Sequence, residues 1–225
     1  MPDELSRCDI ASRTCILFDF DGTLANTVPA ILATGKKVLT EYGMTEEEMG
    51  DMRRLIGPPF PYGYCEIYGM SLEDAQKVTA RYRELYNQLG PETHPLYDGM
   101  LEVLNALRAA GKRLAIASSK QRYMVENMLK DNGVLGYFEV ISAQVSADHS
   151  TKYELITQAL DLLHTDASDA VMVGDRFYDV EGALQAGVPC VGVVYNTAPR
   201  EELESAGAAA IALTPQELKR ILLGA

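Results

Sequence analysis

Residues 16–24 read Ile-Leu-Phe-Asp-Phe-Asp-Gly-Thr-Leu. An apolar run of β type ends there in two aspartates, Asp19 and Asp21, with Gly22 straight after. Carboxylates at i and i+2 of an extended strand point to one face. Their repulsion is about 4 kcal/mol at roughly 4 Å and an effective dielectric near 20. A fold tolerates that only with an offsetting cation or a proton shared between them. The stretch therefore predicts a metal site or an acid/base pair at the carboxyl end of a buried strand, where open α/β sheets hold their ligands.

Further apolar runs at 113–117, 138–142, 169–173, 190–194 and 210–213 resemble the first at 14–19. They are continuous rather than alternating, which suits strands covered on both faces. Helical patterns separate them at 100–110, 120–131, 152–163, 177–186 and 215–223, several stopped by a glycine such as Gly111 or Gly187. Strands alternating with helices predict an α/β fold: a Rossmann-like parallel sheet with helices on both faces. The chain has 225 residues, 47% hydrophobic, enough for one full core or a core with a small second domain.

The alternation breaks once. Between residue 24 and the strand near 113 only helical signals occur. One begins at Asn26-Thr27 with Pro29 in its first turn and stops at Gly43. Another begins at Thr45, with Glu48 three residues on as a capping box. A third runs from Ser71 to about Leu89. Prolines 58, 59 and 61 forbid helix across the connection between them. Residues 26–95 are thus expected to form an all-helical insert, and 1–25 with 96–225 the Rossmann-like core. An insert at the first βα loop overhangs the ligand edge of the sheet as a lid.

Composition narrows the partners. The net charge is −12, which disfavours nucleic acid as the main partner, though not an anionic substrate beside a bound cation. Four cysteines (Cys8, Cys15, Cys65, Cys190) form no CxxC pair and read as reduced thiols. No apolar run approaches the roughly 20 residues that span a bilayer, and the N-terminus lacks signal-peptide regions. A cytoplasmic protein, monomeric or weakly dimeric, is expected.

Four segments place polar groups at predicted strand ends or helix starts: Asp19–Thr23; Ser118 after Leu114–Ala117; Lys152; and Gly174-Asp175-Arg176-Phe177-Tyr178-Asp179 after Ala170–Val173. In a parallel sheet these converge on one edge. Four carboxylates, an ammonium and a hydroxyl suit phosphoryl transfer, which demands an in-line nucleophile and neutralisation of transferred charge.

The set resembles the haloacid dehalogenase superfamily, specifically its phosphatases with a helical cap after the first strand. The D-x-D-G-T-L element appears as Asp19–Leu24, the small hydroxyl residue as Ser118 within Ala-Ser-Ser-Lys, the lysine as Lys152, and G-D-x-x-x-D as Gly174–Asp179. The resemblance implies a Mg²⁺-dependent phosphatase of small soluble phosphomonoesters, phosphoglycolate phosphatase-like, acting through an aspartyl-phosphate. It implies Asp19 as nucleophile and metal ligand, and Asp21 as general acid/base with its main-chain carbonyl on the metal. Thr23 would orient Asp21, Ser118 would bind a phosphate oxygen, and Lys152 would balance charge on phosphate and Asp19. Asp175 would complete the metal site, and Asp179 would support it or pair with Lys152. Asp21 in place of a tyrosine points away from dehalogenation.

Two departures stand out: Asn26-Thr27 where the family often has Asp-Ser, and Tyr153 rather than proline after the lysine. A phosphomutase of the β-phosphoglucomutase type, a 5'-nucleotidase, and a non-catalytic regulatory protein share the scaffold. Gly22, Ser119 and, from the insert, Arg54 are expected to touch substrate; Arg53 and Arg176 are weighed beside them. His94, His149 and His164 are read as structural or exposed. Tyr62, Tyr64, Tyr82 and Tyr86 are read as packing.

Overall fold

The computed structural model describes residues 7–145, 150–195 and 197–224. Six parallel strands, β1 (Cys15–Phe18), β2 (Arg113–Gln121), β3 (Val140–Gln144), β4 (Ala170–Gly174), β5 (Cys190–Val193) and β6 (Ala210–Ala212), form one sheet in the order β3-β2-β1-β4-β5-β6. All six expected strands exist. The order reverses direction at β1, so the crevice opens at the carboxyl ends of β1 and β4.

Period-2 geometry splits the strand residues between two faces. Ile16, Phe18, Val171 and Val173 join one apolar cluster, while Cys15, Leu17, Ala170 and Met172 join another against the helix Lys152–Leu163. The first cluster continues without a break into the insert through Ile31, Val38, Leu55, Tyr64 and Tyr82.

Among the described residues, the insert holds helices and turns and no named strand: Val28–Tyr42, Glu46–Met49, Tyr62–Tyr68 and Leu72–Tyr86, with a 3-10 turn at Met52–Leu55. The capping box at Thr45 and Glu48 forms as expected, and Gly43 ends the first helix at φ 102°. The insert's two ends meet. Asn26 N–H donates to the Pro95 carbonyl at 2.8 Å and Tyr97 N–H to the Leu24 carbonyl at 3.1 Å.

Some expectations need correction. β2 runs four residues further than expected, to Gln121, so the following helix starts at Arg122 rather than 120. Its register with β3 shifts between Ser118 and Gln121, which keeps the chain extended beyond the sheet edge. The helix from Ser71 ends at Tyr86 rather than Leu89. Helices Arg7–Ser12, Tyr62–Tyr68 and Arg200–Ala206 were not expected. Each is short, six or seven residues, too brief for a periodic pattern to declare itself.

Cys15, Cys65 and Cys190 are free thiols. His94 is buried and its Nε2 lies 3.1 Å from Asp131, whereas His164 caps a helix in the left-handed region. The Cys8 side chain and His149 lie outside the described residues. No helix among the described residues is long and apolar enough to cross a membrane.

Candidate active site

β1 delivers Phe18 in register with Ile116 of β2 and Val173 of β4. The next residues of these three strands therefore reach the same edge. Asp19 continues the ladder with its N–H on the Val173 carbonyl at 2.9 Å. The chain then turns sharply, with both Leu24 and Ala25 donating N–H to the Phe20 carbonyl at 3.1 Å. Gly22 sits in that turn at φ 76°, and a Cβ there would fall 2.4 Å from Asp175 Oδ2. Glycine is required twice over, by backbone conformation and by the approach of a carboxylate. Gly174 has a second close approach: a Cβ there would fall 2.3 Å from the Asp179 side chain, which folds back over the end of β4.

Asp19, Asp175 and Asp179 bring carboxylate oxygens within 4.8 Å of one another, and all three are buried. Lys152, only 8% exposed, projects from the first turn of its helix into this cluster. Its Nζ lies 3.1 Å from Asp19 Oδ1 and 2.8 Å from Asp179 Oδ1, and donates to the Ala117 carbonyl at 3.0 Å. Asp179 Oδ2 accepts from the Asp175 and Arg176 N–H groups, both at 3.1 Å. Asp175 Oδ1 accepts from the Thr23 hydroxyl at 2.9 Å. Thr23 thus orients Asp175, not Asp21 as expected; the turn at Gly22 carries its hydroxyl toward β4.

Three buried carboxylates share one ammonium, leaving excess negative charge in a poorly solvated place. Burial pushes the Asp19 carboxyl up to about 6, with Lys152 pulling it down and Asp179 pushing it up. Burial, then the charges of Asp179 and Asp19, drive Asp175 well above the usual carboxylate range. Burial pulls the Lys152 ammonium down, but the facing Asp179 and Asp19 charges outweigh it and raise its pKa. The second oxygen of Asp175 is buried and has no well-aligned hydrogen bond, although the Thr197 hydroxyl also faces this carboxylate. Such an oxygen in an over-charged cluster of hard oxygen donors fits a divalent cation such as Mg²⁺.

Asp21 stands apart from the cluster. Lys120, on the extended end of β2, places Nζ 3.0 Å and 3.1 Å from its two carboxylate oxygens. Lys120 was missed as a site residue. The available signal was its position two residues beyond Ser118, but the expectation that a helix began at residue 120 hid it.

A cleft of about 640 Å³, its open mouth included, joins Asp19 and Asp21 to Ser118, Ser119 and Lys120 from the core. From the insert come Ile31, the Leu55–Phe60 loop, Tyr82 and Arg83. Ser118 and Ser119, the expected substrate contacts, both line this cleft. Gly22 is not free to donate, because its N–H already serves the Ala25 carbonyl at 3.1 Å. Arg54 does not line this cleft. It borders a separate hollow with Asp51, Arg53, Arg176 and Thr197, since its 3-10 turn faces outward while Leu55 and Ile56 face in. Arg53 is exposed and paired with Asp51 at 2.9 Å. Arg176 binds Glu202 at 2.8 Å and donates to the carbonyls of Arg53 and Ile56, so it ties the insert to the core.

The sequence over residues 16–193 matches the model of the haloacid dehalogenase-like hydrolases. A 5'-nucleotidase of Pseudomonas aeruginosa is 30% identical over 191 residues, covering 84% of this chain and 86% of that protein. Tyrosine-protein kinase PtkA of Mycobacterium tuberculosis is 30% identical over 215 residues, covering 94% of this chain and 73% of that protein. The crystal structure of a predicted phosphatase from Clostridium acetobutylicum superposes with a TM-score of 0.89 at 31% identity, covering 95% of this chain and 99% of that one. With the strand-end carboxylates, the lysine and the helical cap in place, the chain belongs to the haloacid dehalogenase-like hydrolase family, as one of its phosphatases.

Proposed function

We propose that this phosphatase hydrolyses small soluble phosphomonoesters with Mg²⁺, through an aspartyl-phosphate formed on Asp19. One observation carries the reading: Asp19 belongs to a buried cluster in which three carboxylates share a single ammonium, and it also lines the cleft beneath the cap. Asp19, Asp175 and the main-chain carbonyl of Asp21 would hold the cation, which supplies a counter-charge for the transferred phosphoryl group. Asp179 supports the site from behind, its oxygens given to Lys152 and two backbone N–H groups.

In the first step an Asp19 oxygen attacks phosphorus as the bond to the ester oxygen breaks, and Asp21 gives that oxygen its proton. In the second, Asp21 takes a proton from water, which attacks the same phosphorus and frees phosphate and the Asp19 carboxylate. Lys152 keeps Asp19 ionised and aimed. Ser118 and Ser119 supply hydroxyls at the place the phosphoryl oxygens would occupy. The cap, with boundaries placed at residues 25/26 and 95/96, closes the cleft against water.

Phosphate release from p-nitrophenyl phosphate and from a panel of phosphorylated metabolites tests this. Activity is expected with Mg²⁺, to vanish with EDTA and return with added Mg²⁺, and to be lost in Asp19→Asn. Turnover at the parent rate in Asp19→Asn would overturn the reading.

A further inference from the structure

The ammonium of Lys120 has three N–H donors, and all three are accounted for. Two meet the carboxylate oxygens of Asp21 at 3.0 and 3.1 Å, and the third points to Tyr86 Oη at 3.5 Å. The same ammonium lies 4.6 Å from the centre of the Tyr86 ring, within cation–π range. Its side chain is only 8% exposed. Lys120 belongs to the core strand β2, whereas Tyr86 is the last residue of the cap helix Leu72–Tyr86 and is 3% exposed. Tyr86 is held in turn by stacking on Tyr82, whose ring lines the cleft. The carboxylate assigned to proton transfer is therefore gripped from the core by a cation that itself rests on the cap.

We propose that Lys120 is the positioning residue for Asp21, and that Tyr86 makes this positioning depend on the seating of the cap. This rests on the acid/base reading of Asp21 given above. Lys120 need touch neither phosphate nor leaving group; it fixes where the Asp21 oxygens stand. With the cap lifted, Tyr86 leaves Lys120, and the grip on Asp21 loosens in step with loss of the closed cleft.

Two substrates of similar shape separate this role from substrate binding. p-Nitrophenyl phosphate expels a weakly basic phenolate that departs without a proton, whereas benzyl phosphate must expel an alkoxide that needs one. In Lys120→Met, kcat/KM for benzyl phosphate is expected to fall at least about 10-fold further than kcat/KM for p-nitrophenyl phosphate, within the range that general acid catalysis contributes. kcat for p-nitrophenyl phosphate is expected to fall as well, because Asp21 also activates the water of the second step. Lys120→Arg should recover part of the benzyl phosphate loss, and Tyr86→Phe, which keeps the ring, should show the same discrimination at smaller size. Should Lys120→Met not fold, the arginine and phenylalanine variants carry the test alone. Equal losses on both substrates, or none, would overturn the proposal. A parent enzyme inert toward both, with Mg²⁺ present, would instead overturn the proposed function.

Discussion

Two lysines stand at the carboxyl edge of the sheet, and their surroundings differ in charge count. Lys152 faces Asp19 and Asp179 with Asp175 close by, three carboxylates to one ammonium. Lys120 faces Asp21 alone, one to one. A balanced pair can persist as it is, holding a group in place. An over-charged buried cluster cannot, since each uncompensated charge carries a heavy desolvation cost; it must take up protons or a cation. The difference is why we propose Asp19 and Asp175 for the metal and Asp21 for proton transfer.

The largest expected effect sharpens that contrast. Removing Lys152 leaves buried carboxylates with no cation, so Lys152→Met should destabilise the metal-free protein by about 3–5 kcal/mol. Lys120→Met breaks a pair that is less buried and should cost about 2 kcal/mol, between the exposed and buried limits. Denaturant unfolding in EDTA at neutral pH measures both. Equal costs, or the reverse order, would break the comparison.

Next comes the response to pH. In the metal-free folded state Asp19 titrates at about 6, above the roughly 3.9 of an unfolded aspartate. The folded form therefore binds the proton more tightly. Stability from this group is present at low pH and is lost as pH rises from about 4 through about 6; the raised Asp175 acts in the same direction. A cation needs the ionised forms, so its stabilisation grows over the same interval. The rise in melting temperature on adding Mg²⁺ should be several degrees larger at pH 8 than at pH 5. A Mg²⁺ shift independent of pH would show that these carboxylates do not hold the ion.

The smallest effect concerns the cap. Arg176 anchors the loop that lines the cleft through the carbonyls of Arg53 and Ile56. Arg176→Ala should release that loop at a cost of about 1–2 kcal/mol, raising KM by about 10-fold while kcat changes less. Steady-state kinetics on p-nitrophenyl phosphate reads the split. A collapse of kcat with KM unchanged would place Arg176 in the chemistry instead.

Much of the core was legible because its signals are local. Continuous apolar runs bounded by glycines gave the six strands, and strand ends in a parallel sheet must share an edge, so Asp19, Ser118 and Asp175 were bound to meet. The place of Arg54, off the cleft, was not legible for the opposite reason. Which face of a one-turn 3-10 segment looks inward depends on packing against other elements, and no periodic pattern of four residues declares it. The same holds for Thr23, whose hydroxyl could reach either of two aspartates until the Gly22 turn and the approach of β4 selected Asp175.

The sequence by itself determined the alternation of strands and helices, the helical insertion after β1, and the chemical inventory at the sheet edge, because hydrophobic periodicity and turn residues act over a few neighbours. Only the tertiary structure decided how the charges are shared. The excess of anions around Lys152, the one-to-one pairing of Lys120 with Asp21, and the seat of that lysine on Tyr86 of the cap join residues tens of positions apart. Electrostatic energy depends on separations of a few ångströms and on burial, and neither is fixed until the sheet and cap have packed.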